Sequence, residues 1–554
     1  MTRPIVQIKV QTMAALRALK THGPSQLQFW FIALVIGIAA GFAALFFRLG
    51  IDWIQGYLYG TDDVNRLETV VSRLAWYQIL LIPVIGGLTV GLILHRFTDD
   101  GRSRSVSDVI EGAALNEGRV EVRRGFASAL ASLITLSTGG SAGREGPVVH
   151  LAAVLSTMVS RLIRANGITG RDLLGCAVAA AVSASFNAPL AGALFALEVV
   201  LRHFAVHAFA PIVIASVAGT VINRLAFGDV TEFVLPVQNA LAFYVELPAF
   251  LLLGIVCGLV AVVLMRAVFL ADDWADTVQN RLQLPRYLRP AVAGALLGGL
   301  AIFWPHIIGV GYETTSAALT GKLLFHEAIV FAVLKVLAVA ITLGGRMGGG
   351  IFSPSLMIGA LTGAAFGLIA TAMFPTVSGE GTLYALAGMG AVAAAVLGAP
   401  ISTTLIVFEL TGDWQTAMAV MVSVSLSTAL ASGLVDRSFF LTQLERRNVH
   451  LAAGPQAYLL ATFRVATVMR KADAKRAAPH DECWELVKEG VYIDGNATLE
   501  QAMPMFEQGN HPFIPVVTLG GDASPPELWG ALFQVDALRA MNTALAATAK
   551  EEHS

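Results

Sequence analysis

The chain has 554 residues, of which 55% are hydrophobic and only 14% charged, with a mean hydropathy of +0.67. That balance excludes a soluble globular protein and describes a polytopic membrane protein. The net charge of −2 excludes nothing, and the basic residues are not in a run or patch suited to nucleic acid. Cys176, Cys257 and Cys483 are too far apart for a metal site or a disulfide framework.

Residues 1–25 carry Arg3, Lys9, Arg17 and Lys20 and no acid. The segment is too long and too spread for a signal peptide, and the positive-inside rule puts it in the cytoplasm. Residues 1–19 read equally as an amphipathic surface helix or as a solvated tail. Uncharged runs able to span follow at 29–47, 74–94, 247–265, 351–379, 381–408 and 415–435, against a requirement of roughly 20 apolar residues. Other apolar stretches do not fit that length. Residues 126–136 are short, and 351–379 are long and interrupted by Gly and Pro. Uneven, interrupted segments predict tilted and discontinuous helices around a pathway.

Residues 137–150 read STGGSAGREGPVVH, so Arg144 and Glu145 lie between apolar segments, among glycines and ahead of Pro147. A charge at membrane depth costs about 2.5–3.5 kcal/mol and marks a pathway or relay. Glycine bares backbone N–H groups, and proline suits the first turn of a helix, where its missing N–H costs nothing. The expected result is a loop feeding a helix N-terminus, which is an anion site.

The pattern recurs. Gly143–Pro147 precedes Phe186-Asn187-Ala188-Pro189, with Glu198 nine residues after Pro189; Gly349–Pro354 precedes Gly398-Ala399-Pro400, with Glu409 nine residues after Pro400. The proline-to-proline intervals are similar, 189 − 147 = 42 and 400 − 354 = 46. Two halves with matching broken segments place a transport site at their interface.

From residue 445 the chain turns charged and lacks spanning runs. Strands are expected at 491–494, 511–517 and 527–533 and helices at 498–508 and 535–541, a small α/β unit.

Gly143-Arg144-Glu145-Gly146-Pro147, Phe186-Asn187-Ala188-Pro189-Leu190-Ala191-Gly192 and Gly350-Ile351-Phe352-Ser353-Pro354 resemble, in this order, motifs of the CLC family of chloride channels and anion/proton exchangers. The likeness covers about 29–444. The tail resembles a reduced CBS-domain region, with one clear unit at 491–541 and a leftover first strand at 465–469. The resemblance implies an all-α polytopic membrane protein of two inverted-repeat halves of tilted and broken helices, plus a small α/β cytoplasmic tail. Domains are expected at 1–25 (cytoplasmic segment), 26–444 (anion transport) and 445–554 (CBS-like). It also implies a homodimer in the lipid membrane with one pore per subunit, and a bacterial inner membrane as its location.

Carried over, Glu145 is the gating glutamate, whose carboxylate occupies the outer anion site and leaves when protonated or displaced. The N–H groups of Gly146, Ile351 and Phe352 coordinate anions, and Arg144 holds the loop. Three departures stand out. The family's Gly-Ser-Gly-Ile/Val-Pro motif is replaced by Ser103-Arg104-Ser105-Val106-Ser107, so either Arg104 or, with a shift, Ser105 takes the place of the anion-contacting serine. Phe440 stands where the pore tyrosine is usual. Val199 stands where proton-coupled members commonly carry a second glutamate. A valine carries no proton, so the resemblance points to channel-type anion flow, with a chloride/proton antiporter as the alternative. Glu198 and Glu409 read as structural acids.

In the tail Asp536 is present for a nucleotide ribose, but Phe533 replaces the hydroxyl residue. A weak adenine-nucleotide site therefore stands behind a docking or dimerisation role. An enzyme is not expected, nor a cofactor or metal: His326-Glu327 lacks a second metal-binding histidine, and Gly321-Lys322 lacks a phosphate-loop context. A non-transporting membrane scaffold, which needs no duplicated acid-bearing loop, is the remote alternative.

Overall fold

A computed structural model describes residues 25–61, 66–204, 206–228, 233, 243–375, 378, 381–449, 451, 460, 463–474, 476–509, 511–518 and 527–552. The two readings of residues 1–19 lie outside them.

Among helices of seven residues or more, the first half contributes α1 (Gln26–Tyr59), α2 (Trp76–Phe97), α3 (Val106–Leu115), α4 (Val122–Ser137), α5 (Glu145–Ile163), α6 (Gly167–Phe186), α7 (Pro189–Phe195) and α8 (Val206–Phe227). The second half contributes α9 (Phe243–Arg281), α10 (Arg289–Phe303), α11 (Tyr312–Leu319), α12 (Phe325–Gly344), α13 (Phe352–Met373), α14 (Gly381–Leu397), α15 (Pro400–Thr411), α16 (Trp414–Leu434) and α17 (Phe439–Glu445). Eight helices among the described residues are long and apolar enough to cross a membrane. With 34 and 39 residues, α1 and α9 exceed the roughly 20 that a span needs, so they cross at a tilt or extend beyond the bilayer.

The repeat is visible in the helices. α5 pairs with α13, α6 with α14 and α7 with α15 in the order of the two halves. Every residue from Gly170 to Phe186 in α6 and from Leu383 to Leu397 in α14 is buried. A helix apolar all round belongs inside a protein of this kind, not at its lipid face. Their glycines and alanines allow close approach: a Cβ on Gly363 of α13 would lie 2.0 Å from the Tyr384 carbonyl oxygen of α14.

Two expectations are corrected here. The uncharged run 381–408 is not one span. It breaks between α14 and α15, because Gly398 turns left-handed at φ +69° and Pro400 restarts a helix that needs no N–H at that position. Asn187 and Pro189 make the same break between α6 and α7, with Asn187 at φ +58°. Conversely, 351–379 is not interrupted at Pro354, although its helix ends before Pro375. α13 runs unbroken from Phe352 to Met373 with Pro354 in its first turn.

In the tail β1 (Arg470–Lys471), β2 (Ile493–Asp494), β3 (Phe513–Thr518) and β4 (Glu527–Phe533) form one sheet in the order β1-β4-β3-β2. β2 pairs parallel to β3, with Ile493 opposite Val516, and β3 antiparallel to β4, with Ile514 opposite Leu532. Helices α18 (His480–Lys488), α19 (Leu499–Gly509) and α20 (Gln534–Glu552) accompany it. The strand expected at 465–469 is instead a helical turn, Val465–Val468, closed by a bond from the Met469 N–H to the Val465 carbonyl. The extended pairing falls one residue later, at Arg470–Lys471 against Ala531 and Gly530.

Candidate functional site

Two loops meet at the centre of the bundle. Gly143 and Gly350, equivalent positions in the two halves, exchange both backbone hydrogen bonds at 2.7 Å. Ser141 and Gly348 are held through the hydroxyls of Thr342 and Thr135 at 3.2 and 3.0 Å. The stitch aims the N-termini of α5 and α13 at one another. The first N–H groups of any helix lack an intrahelical acceptor, and here they belong to Glu145 and Gly146 on one side and Phe352 and Ser353 on the other. Pro147 and Pro354 sit third in their helices, where no N–H is needed. Gly143 has to be glycine, since a Cβ there would sit 2.6 Å from Glu145 Oε2 and 3.0 Å from the Ser353 nitrogen.

The carboxylate of Glu145 is 2% exposed. Its Oε1 accepts a 2.5 Å hydrogen bond from the Ser353 hydroxyl, while Oε2 makes no hydrogen bond. It lines a cavity of about 20 Å³ together with Ser105, Gly146, Ile351, Phe352 and Phe440. That is room for about one water-sized occupant. Phe440 is 4% exposed and meets Phe439 edge to face at 5.9 Å. In place of a hydroxyl it offers an aromatic ring, whose edge carries partial positive charge.

Two other cavities are lined by residues of the same loops. One, of about 100 Å³, shares Ser105 and Gly349 with the cavity of Glu145 and holds Arg102, Arg104, Arg346, Arg446 and Arg447. The other, of about 40 Å³, is lined by Arg144 with Gln55, Glu68, His306 and Tyr312. Arg144 is 6% exposed, bonds the Ser185 carbonyl at 3.3 Å and lies 5.5 Å over the Tyr312 ring. It thus ties the loop to α6 while lining a cavity separate from that of Glu145.

The alternatives left open at 104–105 separate here. Ser105 lines the enclosed cavity, and its N–H is taken by Asp108 at 2.8 Å. Arg104 lines only the wide cavity, where its guanidinium meets Asp100 at 2.9 Å and Asp108 at 3.5 Å. Asp108 also receives Arg447 at 2.7 Å. Burial works against the charge on Asp108, yet Arg447, His150 and Arg104 outweigh it and hold the carboxyl below its usual range. The wide cavity therefore carries fixed arginines beside the ionised carboxylate of Asp108.

Val199 is 5% exposed, lies in the π-helical continuation of α7 at Ala196–Leu201, and lines none of the three cavities. Glu198 receives the N–H groups of Ile401 and Ser402 at 3.0 and 2.8 Å. Glu409 receives those of Leu190 and Ala191 at 2.9 and 2.8 Å. Ser353, which grips Glu145, was passed over by the sequence reading although it stands inside the quoted Gly-Ile-Phe-Ser-Pro motif. The vestibule arginines 346, 446 and 447 were missed as well. Their signal is weaker: cations at the ends of apolar runs.

Comparison with known proteins agrees with this architecture. The family described as voltage gated chloride channel matches residues 86–432, more than half of the 554. A ClcB-like chloride channel protein of Ralstonia nicotianae is 31% identical over 396 residues, covering 71% of this chain and 91% of its own. A slow cyanobacterial Cl−/H+ antiporter of known crystal structure superposes with a TM-score of 0.68 at 23% identity, over 76% of this chain and 98% of that one. A eukaryotic CLC transporter does so at 0.65 and 17%, over 92% and 98%. The two structural likenesses speak for the fold. The chain belongs to the CLC family and is a multi-pass membrane protein of anion transport.

Proposed function

We propose that the chain passes chloride or a similar small anion by passive, channel-type flow, and that Glu145 is the gate. The observation that carries this is the Glu145 carboxylate seated at the facing N-termini of α5 and α13 in a one-ion cavity, with one oxygen held by Ser353 and the other unbonded. A carboxylate competes with an anion for the same amides. Protonating or displacing it would clear the cavity for an anion at the N–H groups of Gly146, Ile351 and Phe352, with Ser105 and Phe440 completing the central site. Arg104 acts from the wide cavity by drawing anions inward.

Passive flow is favoured over chloride/proton exchange by two residues. Val199 cannot carry a proton, and Glu198 is committed to capping α15. The deciding experiment puts the purified protein into liposomes under a chloride gradient and follows chloride and pH together. Fast chloride flux without proton movement supports the channel. Uphill proton movement replaces it with exchange. A folded protein passing no anion would be a scaffold.

We further infer a homodimer with one pathway per subunit, both termini in the cytoplasm, and a bacterial plasma membrane. The basic stretch before residue 25 and the family resemblance support this. No catalytic residue or cofactor is assigned. The membrane unit takes residues 26–444 and a few beyond, since Leu451 packs with its core while Leu460 packs with the tail. The tail is read as a single CBS-like unit for docking or dimerisation. A nucleotide role is disfavoured: Asp536 pairs with Arg470 at 2.6 Å, and Phe533 lies 4.0 Å beneath the same guanidinium. Heat on titrating the protein with ATP or AMP would reinstate it.

A further inference from the structure

A second basic site lies outside the anion path. The inner ends of α2, α4 and α5 and the stretch around Arg286 enclose a groove of about 940 Å³ lined by Arg96, Arg123, Arg124, Arg161 and Arg286, with Asp99 and Glu121 as its acids. Five cations less two anions leave +3 in one open pocket. The acids are already spent. Arg124 takes both Asp99 and Glu121, the latter at 2.6 Å, and Arg286 reaches only the Asp99 carbonyl at 3.3 Å. Arg96 and Arg123 share the ring of Phe97, at 5.6 and 5.5 Å from its centre. Neither they nor Arg161 meets a carboxylate among the described residues. One aromatic ring thus gathers like charges that no protein anion neutralises.

The groove also has an apolar border. Phe97 lines the groove, and Leu92 on α2 and Phe126 and Leu130 on α4 are exposed on two of the helices that form it. A free anion has no use for that border, whereas a lipid puts its phosphate among cations and its chains along apolar helices. We propose that this groove binds the headgroup of an anionic glycerophospholipid, with Arg96, Arg123 and Arg161 on the phosphate and the acyl chains against α2 and α4. The groove shares elements with the Glu145 cavity. Arg161 is in the last turn of α5, whose first residue is Glu145, and Asp99 lies in the stretch 98–105 that ends at Ser105.

The test incubates the full protein, in a neutral detergent, with phosphatidylglycerol or phosphatidylcholine and counts retained lipids by native mass spectrometry. Wild type is expected to keep phosphatidylglycerol in preference to phosphatidylcholine. The variant with Arg96→Gln, Arg123→Gln and Arg161→Gln is expected to lose that preference by at least about tenfold, while its chloride flux in phosphatidylcholine liposomes stays at the wild-type level. Should the triple variant not fold, Arg161→Gln alone is read in the same way, with a smaller loss. Equal phosphatidylglycerol retention by variant and wild type overturns the site. Complete displacement of phosphatidylglycerol by a millimolar excess of inorganic phosphate overturns the lipid as its occupant.

Discussion

Glu198 and Glu409 cap each other's helices. The carboxylate at the end of the first broken segment takes the opening N–H groups of α15, with Ser402 adding its hydroxyl at 2.6 Å. The carboxylate at the end of the second takes those of α7. An acid at a helix N-terminus satisfies orphan donors and complements the helix dipole. The reciprocity ties the two halves together across their pseudo-twofold axis.

The first prediction follows directly. Glu198→Ala and Glu409→Ala each leave two N–H groups without their acceptor and should each cost about 1–2 kcal/mol of stability. Thermal unfolding in detergent reads the loss. Chloride flux per folded protein should persist, because neither carboxylate lines the cavity of Glu145. A stable Glu198→Ala protein with flux intact but proton movement abolished would make Glu198 a proton carrier instead.

Glu145 itself should behave as a competitor for the anion. In the wild type, lowering pH should neutralise the carboxylate and weaken its hold on the cavity, so flux is expected to rise as pH falls. Glu145→Gln removes the negative charge at every pH. Its flux should equal or exceed that of the wild type and lose its pH dependence, measured as chloride efflux from liposomes between acid and neutral pH. Abolished flux in a folded variant would remove Glu145 from the gate.

If Glu145 is the gate, the Ser353 hydroxyl should restrain its carboxylate in the seated position. A hydrogen bond to a charged group is worth about 1.5–3 kcal/mol, roughly a 10- to 100-fold bias in an equilibrium. Ser353→Ala should therefore raise chloride flux at neutral pH toward the level of Glu145→Gln. Flux equal to that of the wild type would show that the hydroxyl does not restrain the carboxylate.

Much of this was legible in the residues, and the reasons are specific. The glycines beside Arg144 and Glu145, repeated before Pro354, announced two helix N-termini, because few other patterns place bare N–H groups beside a charge in an apolar setting. The equal spacing of Glu198 and Glu409 after their prolines exposed the repeat. Hydropathy could not show that 381–408 folds into two helices, since a left-handed Gly398 changes no average. Nor could it decide between Arg104 and Ser105. A one-residue shift within 103–107, which lacks glycine and proline, leaves no mark in a single sequence, whereas the structure puts Ser105 on the cavity of Glu145 and Arg104 off it.

That placement gives the last prediction. Ser105 lines both the enclosed and the wide cavity and Arg104 only the wide one, so the two residues should divide selectivity from supply. Arg104→Gln removes one fixed positive charge from the wide cavity, where the field acts over about 10 Å at 0.1 M salt. Chloride flux should fall at low ionic strength and recover as salt screens the field, while the order of preference among chloride, bromide and nitrate stays unchanged. Ser105→Ala removes a hydroxyl from the one-ion cavity, and Phe440→Tyr offers one to it. Each hydroxyl is worth about 0.5–1.5 kcal/mol, or roughly 2- to 10-fold in anion affinity. Competition of these anions for flux should therefore shift in opposite directions in the two variants at every ionic strength. A change of anion order in Arg104→Gln, with none in Ser105→Ala, would return the central site to the arginine.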